Sequence, residues 1–214
     1  MFVLANTPSI ANQFLAELRD VSIQKDQMRF RTNLQRLGKI LAYEISKNLS
    51  YKIQEIETPL MKTNVLQLDE KLVLIAVMRA SLPFYQGFLD FFDSAENGFI
   101  GAFRAEESKD SIEVHLGYCA SPSLEGKTLI LADPMLATGK SFITSIENLL
   151  KNGTPKKIHI ACAVAAPEGI DYIKSNLTIP HQFWIGALDH GLNEHSYILP
   201  GLGDAGDLAF GPKL

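Results

Sequence analysis

Nine consecutive residues, Asp133-Pro-Met-Leu-Ala-Thr-Gly-Lys-Ser141, bring a carboxylate, two hydroxyls, an ammonium and a glycine into one turn. Thr128 to Ala132 ahead of it is a short apolar run of strand length, and Ser141 to Leu150 behind it carries apolar residues at helical spacing. A strand, a polar turn and a helix in that order can hold a phosphate. The first N–H groups of a helix lack intrahelical partners, the helix dipole adds partial positive charge, and Gly139 lets the main chain approach an anion closely. Thr138 and Ser141 add hydroxyl donors, and Lys140 adds a cation. Asp133 must serve another purpose, since a carboxylate and a phosphate repel each other. Ribose hydroxyls or a magnesium ion would suit it.

Two other readings of the turn remain open from the residues alone. Thr-Gly-Lys-Ser resembles the end of the P-loop pattern G-x-x-x-x-G-K-[ST], but Pro134 stands where its first glycine belongs. The other is a plain glycine turn with Ser as helix cap and no ligand. Arg79 follows the apolar run Leu72 to Met78, at the strand end where open α/β sheets place ligands, although a salt-bridging arginine also fits that position. His190, Glu194 and His195 miss the zinc pattern H-x-x-E-H by one residue and lie in a turn-rich stretch. The closing run Pro200-Gly-Leu-Gly-Asp-Ala-Gly-Asp207 has little side chain with which to pack a core. Its use is expected to lie in successive main-chain N–H and C=O groups, with a loose terminal tail as the plain alternative.

Taken together, these stretches resemble a known family. Asp-Pro-Met-Leu-Ala-Thr-Gly-x-Ser is similar to the 5-phosphoribosyl-1-diphosphate (PRPP) loop of the uracil phosphoribosyltransferases, and Tyr197-Ile-Leu-Pro-Gly-Leu-Gly-Asp-Ala-Gly-Asp207 is similar to their uracil-binding segment. The resemblance runs from about residue 28 to the end. It implies transfer of a phosphoribosyl group from PRPP to uracil, giving uridine 5′-monophosphate (UMP) and diphosphate, with Arg79, Arg104 and Asp133 as the catalytic groups. PRPP is expected on Arg79, Arg104, Asp133, Pro134, Met135, Leu136, Ala137, Thr138, Gly139, Lys140, Ser141 and Asp204. Uracil is expected on Ile198, Gly203, Asp204 and Ala205. Magnesium would arrive carried by PRPP, with no protein ligand assigned. A homodimer or higher homo-oligomer and GTP binding are further implications.

Three positions depart from the family pattern: Ser81 replaces the glycine of Leu-Arg-Ala-Gly, Lys140 a usual glycine, and Leu208 a basic residue. Ser81 adds a Cβ and a hydroxyl, so it either donates a hydrogen bond to the diphosphate or weakens its binding. A catalytically weakened PRPP or uridine-nucleotide sensor is therefore the second reading. An RNA-binding regulator is the third, and the formal charge of −4 weighs against it and against a broad nucleic-acid surface.

The elements around these residues follow from composition and period. A chain of 214 residues, 46% hydrophobic and 21% charged, suits one soluble domain with additions at its periphery. Cys119 and Cys162 read as free thiols of a reducing compartment, the start lacks a signal-peptide pattern, and no apolar run spans a bilayer, so a cytoplasmic protein is expected. Residues 9–20 and 24–49 read as helices within a helical extension over 1–50, with Arg29, Arg31 and Arg36 on a solvated face. Tyr51 to Pro59 reads as an exposed strand. Residues 103–122 read as a β-arm with a mobile acidic tip or as a plain surface hairpin, and the resemblance implies that 189–214 is the base-binding segment. Strands at Leu72–Met78, Asn97–Phe103, Thr128–Ala132, Ile158–Val164 and Gln182–Leu188 alternate with helices, and His159 and Cys162 belong to the core. That alternation predicts a doubly wound, mainly parallel α/β sheet with flanking helices.

Overall fold

Strands that are apolar at every position must be covered on both faces, and the computed structural model covers them with two helical layers. It describes the main chain of residues 1–108 and 111–212 and the side chains of 1–101 and 117–212. The chain begins with β1 (Phe2–Val3), α1 (Ile10–Arg19), α2 (Gln27–Ser46) and the hairpin β2 (Tyr51–Glu57) and β3 (Lys62–Leu68). The core then alternates: β4 (Leu72–Met78), α3 (Ser81–Leu89), β5 (Glu96–Ser108), β6 (Ser111–Ala120), β7 (Thr128–Ala132), β8 (Met135–Leu136), α4 (Lys140–Leu149), β9 (Lys157–Ala165) and α5 (Pro167–Asn176). It closes with β10 (His181–Leu188), β11 (Gly191–Leu192), β12 (Ile198–Leu199) and α6 (Ala205–Phe210).

The main sheet runs in the order β1-β10-β9-β7-β4-β5-β6, with β8 also on β9; all pairs are parallel except β5 with β6. The doubly wound, mainly parallel architecture is the one the strand–helix alternation predicts. Period-two alternation splits β4 between the layers: Leu72, Leu74 and Ala76 pack with α1, α2 and α3, while Val73, Ile75 and Val77 pack with α4 and α5. Where α2 crosses α3, Gly38 and Gly87 let the backbones touch. A Cβ on Gly38 would lie 2.1 Å from the Phe84 carbonyl oxygen.

Local signals account for the helix boundaries. Ser9 and Asn12 form a reciprocal capping box on α1, Asp26 caps α2, and Pro167 occupies the first turn of α5, where its missing N–H costs nothing. The 9–20 and 24–49 helices thus appear slightly shortened, and the expected helix after Ser81 ends at Leu89. Among the described residues no helix is long and apolar enough to cross a membrane.

Three expectations need correction and one needs an addition. The N-terminal extension is not purely helical, because Phe2–Val3 adds a parallel edge strand beside β10. The exposed strand at 51–57 has a partner, β3, which the sequence reading left out. The arginines of α2 do more than line a solvated face: Arg29 and Arg36 are exposed, as expected, but all three arginines also hold partners. Arg29 grips the buried Glu17 at 2.8 and 2.9 Å, Arg31 donates to the Ala209 carbonyl at 2.6 Å, and Arg36 donates to Asn33 while lying 4.9 Å over the Phe14 ring. Finally, the closing segment does feed the core, since Leu202, Ala205 and Ala209 are buried in the same cluster as α2. The acidic tip expected on the β5–β6 arm lies outside the described residues.

His159 and Cys162 on β9 are both fully buried. The Trp184 indole N–H donates to His159 Nδ1 at 2.7 Å, so the imidazole proton resides on Nε2. Burial, reinforced by the charge of Lys157, pushes its pKa down to about 4 and keeps it neutral. Burial likewise raises the Cys162 thiol, with the Asp133 carboxylate adding to the effect.

Candidate functional site

Parallel strands end on one side of the sheet, and the turns that follow them build a cleft of about 1160 Å³. Its first wall is the turn after β7. There the Pro134 carbonyl accepts from the N–H groups of Ala163 and Val164 at 3.0 Å each, and β8 pairs with β9, so the turn is stitched to the neighbouring strand. Asp133 Oδ1 accepts from the Met135 N–H at 3.1 Å, a local loop that holds the carboxylate at the strand end.

Gly139 then reverses the chain into α4 with φ of +78° and no side-chain cap on the helix. A Cβ there would meet the Gly169 carbonyl oxygen at 2.6 Å, so both the conformation and the space demand glycine. Asp133, Met135, Ala137, Thr138, Gly139 and Ser141 all line the cleft. A helix mouth without a side-chain cap, beside two hydroxyls, offers the donors that an anion would need.

The opposite wall is the carboxy-terminal segment. Asp189, buried at the end of β10, receives a two-pronged ion pair from Arg19 of α1 at 2.6 and 2.9 Å and accepts the Gly201 N–H at 2.9 Å. Arg19 also donates to the Gly201 carbonyl at 2.8 Å. This network fixes the chain between β12 and α6. Gly203 adopts φ of +91°, and Asp204 caps α6 by accepting from the Asp207 N–H at 2.9 Å. Ile198, Gly203, Asp204 and Ala205 all face the cleft.

Arg79 lies between the two walls, after the cis Met78–Arg79 peptide, and donates to Asp207 at 2.8 Å and to the Gly211 carbonyl at 2.9 Å. Gly101, Gly117 and Tyr118 bring the base of the β5–β6 arm to the rim.

Most of the expected residues therefore meet in one place, and a few do not. Pro134 and Leu136 are buried beneath the turn, where the first supplies its carbonyl to β9 and the second packs in the core; neither lines the cleft. Lys140 is exposed at the start of α4 and also stays off the lining. Ser81 is fully buried at the start of α3, its hydroxyl without a hydrogen-bond partner among the described residues and off the cleft wall, so neither suggested effect on a diphosphate follows from its position. Leu208 packs against the core. Arg104 sits in β5 opposite Val114, and its side chain is outside the described residues. The sequence reading missed Met78, Tyr118, Tyr197 and Gly206 as lining residues. Tyr197 and Gly206 sat inside the quoted closing motif, whereas Tyr118 had no signal beyond strand alternation.

Fold and cleft together define a doubly wound α/β protein with a cleft at the carboxyl ends of its strands, bounded by a helix-mouth turn and a glycine-rich terminal segment. A family model described as uracil phosphoribosyltransferase matches residues 5–212. A uracil phosphoribosyltransferase of Porphyromonas gingivalis is 46% identical over 206 residues, covering 96% of this chain and 95% of the relative. One from Pyrococcus furiosus is 38% identical over 202 residues, covering 93% and 85%. A solved protein from Aquifex aeolicus superposes with a TM-score of 0.86 at 32% identity, covering 97% of both chains. The chain belongs to the uracil phosphoribosyltransferase family.

Proposed function

We infer that the protein transfers the 5-phosphoribosyl group of PRPP to uracil, forming UMP and releasing diphosphate. One observation carries this reading: the helix-mouth cradle and the main chain of the closing segment bound the same cleft, with Arg79 between them. The phosphate of a sugar phosphate fits the Ala137–Ser141 turn, a planar base fits the Ile198 and Gly203–Ala205 wall, and a cation stands where a leaving diphosphate would lie.

The bond between uracil N1 and the anomeric carbon forms as the bond from that carbon to diphosphate breaks, the electron pair leaving with the diphosphate and the N1 proton being lost. Positive charge develops on the ribose during this exchange, so the protein's work is to hold the leaving group with cations and to aim N1 at the carbon. Arg79 and Arg104 take the diphosphate, Asp133 the ribose hydroxyls, and Asp204 joins the PRPP side to the base side. Gly117 and Tyr118 of the arm border the same space and help to exclude water.

Magnesium fits this donor set as a guest of the substrate. The cleft offers the carboxylates of Asp133 and Asp204, and among the described residues no group of three His, Cys, Asp or Glu side chains gathers at one point. Hard oxygen ligands of that kind would suit an ion that keeps substrate phosphates in its shell, and such an ion would supply charge neutralisation for the leaving diphosphate. A homo-oligomer belongs to the same proposal, supported by the β2–β3 hairpin, which carries exposed Ile53, Leu60, Met61 and Leu66.

The test is direct. Protein, PRPP, magnesium and labelled uracil should yield labelled UMP and stoichiometric diphosphate. Tight PRPP binding with no UMP would replace the enzyme with a sensor.

A further inference from the structure

Arg79 is tied to the segment that forms the other wall. Its Nη2 donates to the Asp207 carboxylate and to the Gly211 carbonyl, so both hydrogens of that nitrogen go to one stretch of chain. Its Nε is buried with no hydrogen-bond partner among the described residues, and a Cβ on Gly206 would lie 3.6 Å from it. The same stretch begins at the base wall, because Asp204 lines the cleft and caps α6 through the Asp207 N–H. One cap hydrogen bond and one ion pair therefore connect the Gly203–Ala205 wall to the guanidinium.

The pair's own stability contribution does not account for this arrangement. Both side chains are about a third or more exposed, at 34% for Arg79 and 41% for Asp207, and ion pairs that exposed add little to stability. Geometry is a better account. A guanidinium is a rigid planar fork, so holding one of its nitrogens sets the plane of all three.

We propose that Asp207 is a positioning residue that makes the placement of Arg79 for diphosphate depend on the base segment being seated, so that uracil and diphosphate bind cooperatively. The proposal rests on the roles given to Arg79 and the Gly203–Ala205 wall under Proposed function. Ordering the wall around uracil fixes α6, and α6 through Asp207 fixes the fork. Linkage requires the effect to be reciprocal: diphosphate tightens uracil by the same factor.

Calorimetry with diphosphate in magnesium buffer, with and without saturating uracil, measures that factor without turnover, because this pair contains no ribose. Uracil is expected to tighten diphosphate about fivefold in the unmodified protein, and the ratio should fall to about one in Asp207→Asn. Loss of a carboxylate near a polyanion tightens diphosphate equally in both conditions, and loosening of α6 weakens it in both. The ratio is insensitive to either effect. Arg79→Lys keeps the charge and loses the fork, so its ratio should also fall to about one, which preserves the test if Asp207→Asn folds poorly. An unchanged ratio in the variants, or a ratio of one in an enzyme that makes UMP, overturns the proposal alone. Absence of both UMP formation and uracil binding in the unmodified protein overturns the functional reading and the proposal with it.

Discussion

The two walls of the cleft are built in opposite ways. The Asp133–Ser141 wall is contiguous in sequence, and its main-chain hydrogen bonds among the described residues run within the turn, into α4, or to β9 and the residue that follows it. The 198–211 wall is held by three arginines from three different elements: Arg19 on Gly201, Arg31 on Ala209, and Arg79 on Asp207, at sequence separations of 182, 178 and 128. A contiguous wall depends on one backbone conformation, whereas a stapled wall depends on distant charges that can be removed one at a time. Damage to the first should appear chiefly in PRPP handling; damage to the second should appear first in uracil handling and, through Asp207 and Arg79, to a smaller extent in PRPP handling.

Arg19→Ala should have the largest effect. It leaves Asp189, whose side chain is 4% exposed, without its cation, and breaking such a pair costs about 3–5 kcal/mol. Denaturant unfolding would read that loss, and steady-state kinetics should show the uracil KM rising more than the PRPP KM. Equal rises in both would erase the distinction between the walls.

Gly139→Ala attacks the contiguous wall. Its positive φ and the close Gly169 oxygen force the turn to shift, and a displacement near 1 Å at a binding group costs about 10²-fold. The expected result is that loss in kcat/KM for PRPP with the uracil KM little changed.

Acid should loosen the stapled side through α1. Hydrogen bonds from Arg29, then Asn33 and Gln13, hold the Glu17 carboxyl down at about 2 against an ordinary 4.5. Its stabilisation is full above the unfolded value of about 4.5 and is lost as the pH falls through about 2. The drop in melting temperature from pH 7 to about pH 3 should therefore be smaller in Glu17→Gln, which has no carboxylate to protonate. A drop of the same size would remove Glu17 from the account.

Lys140→Gly should have the smallest effect. An exposed lysine off the cleft lining is expected to change kcat/KM by less than about threefold, in line with one surface charge near a helix terminus. Complete loss of turnover would give that ammonium a catalytic task.

The same contrast explains what could be read in advance. The phosphate turn was legible because every group it needs lies within nine residues and each follows from strand, glycine and helix chemistry. The strands of the core were legible because burial on both faces leaves uninterrupted apolar runs. The partners of the α2 arginines could not be read because a charged residue on a helix looks the same whether or not its head group also reaches a buried partner. Glu17, which pairs with Arg29, lies on another helix, and the Ala209 carbonyl that Arg31 reaches carries no sequence signal at all. Phe2–Val3 was missed because two residues cannot show a period, and Ser81 because the turn's orientation, not the residue type, decides whether its hydroxyl meets the cleft.

From residue order alone came the alternating fold, the helix-mouth cradle and, through its two motifs, the family. The tertiary structure decided which cations hold the closing segment, that Arg79 reaches the base wall through Asp207, and which motif residues turn away from the cleft. Backbone conformation and burial are short-range properties that residue types encode within a few positions. The partner of a long charged side chain is chosen only when elements more than a hundred residues apart are packed together.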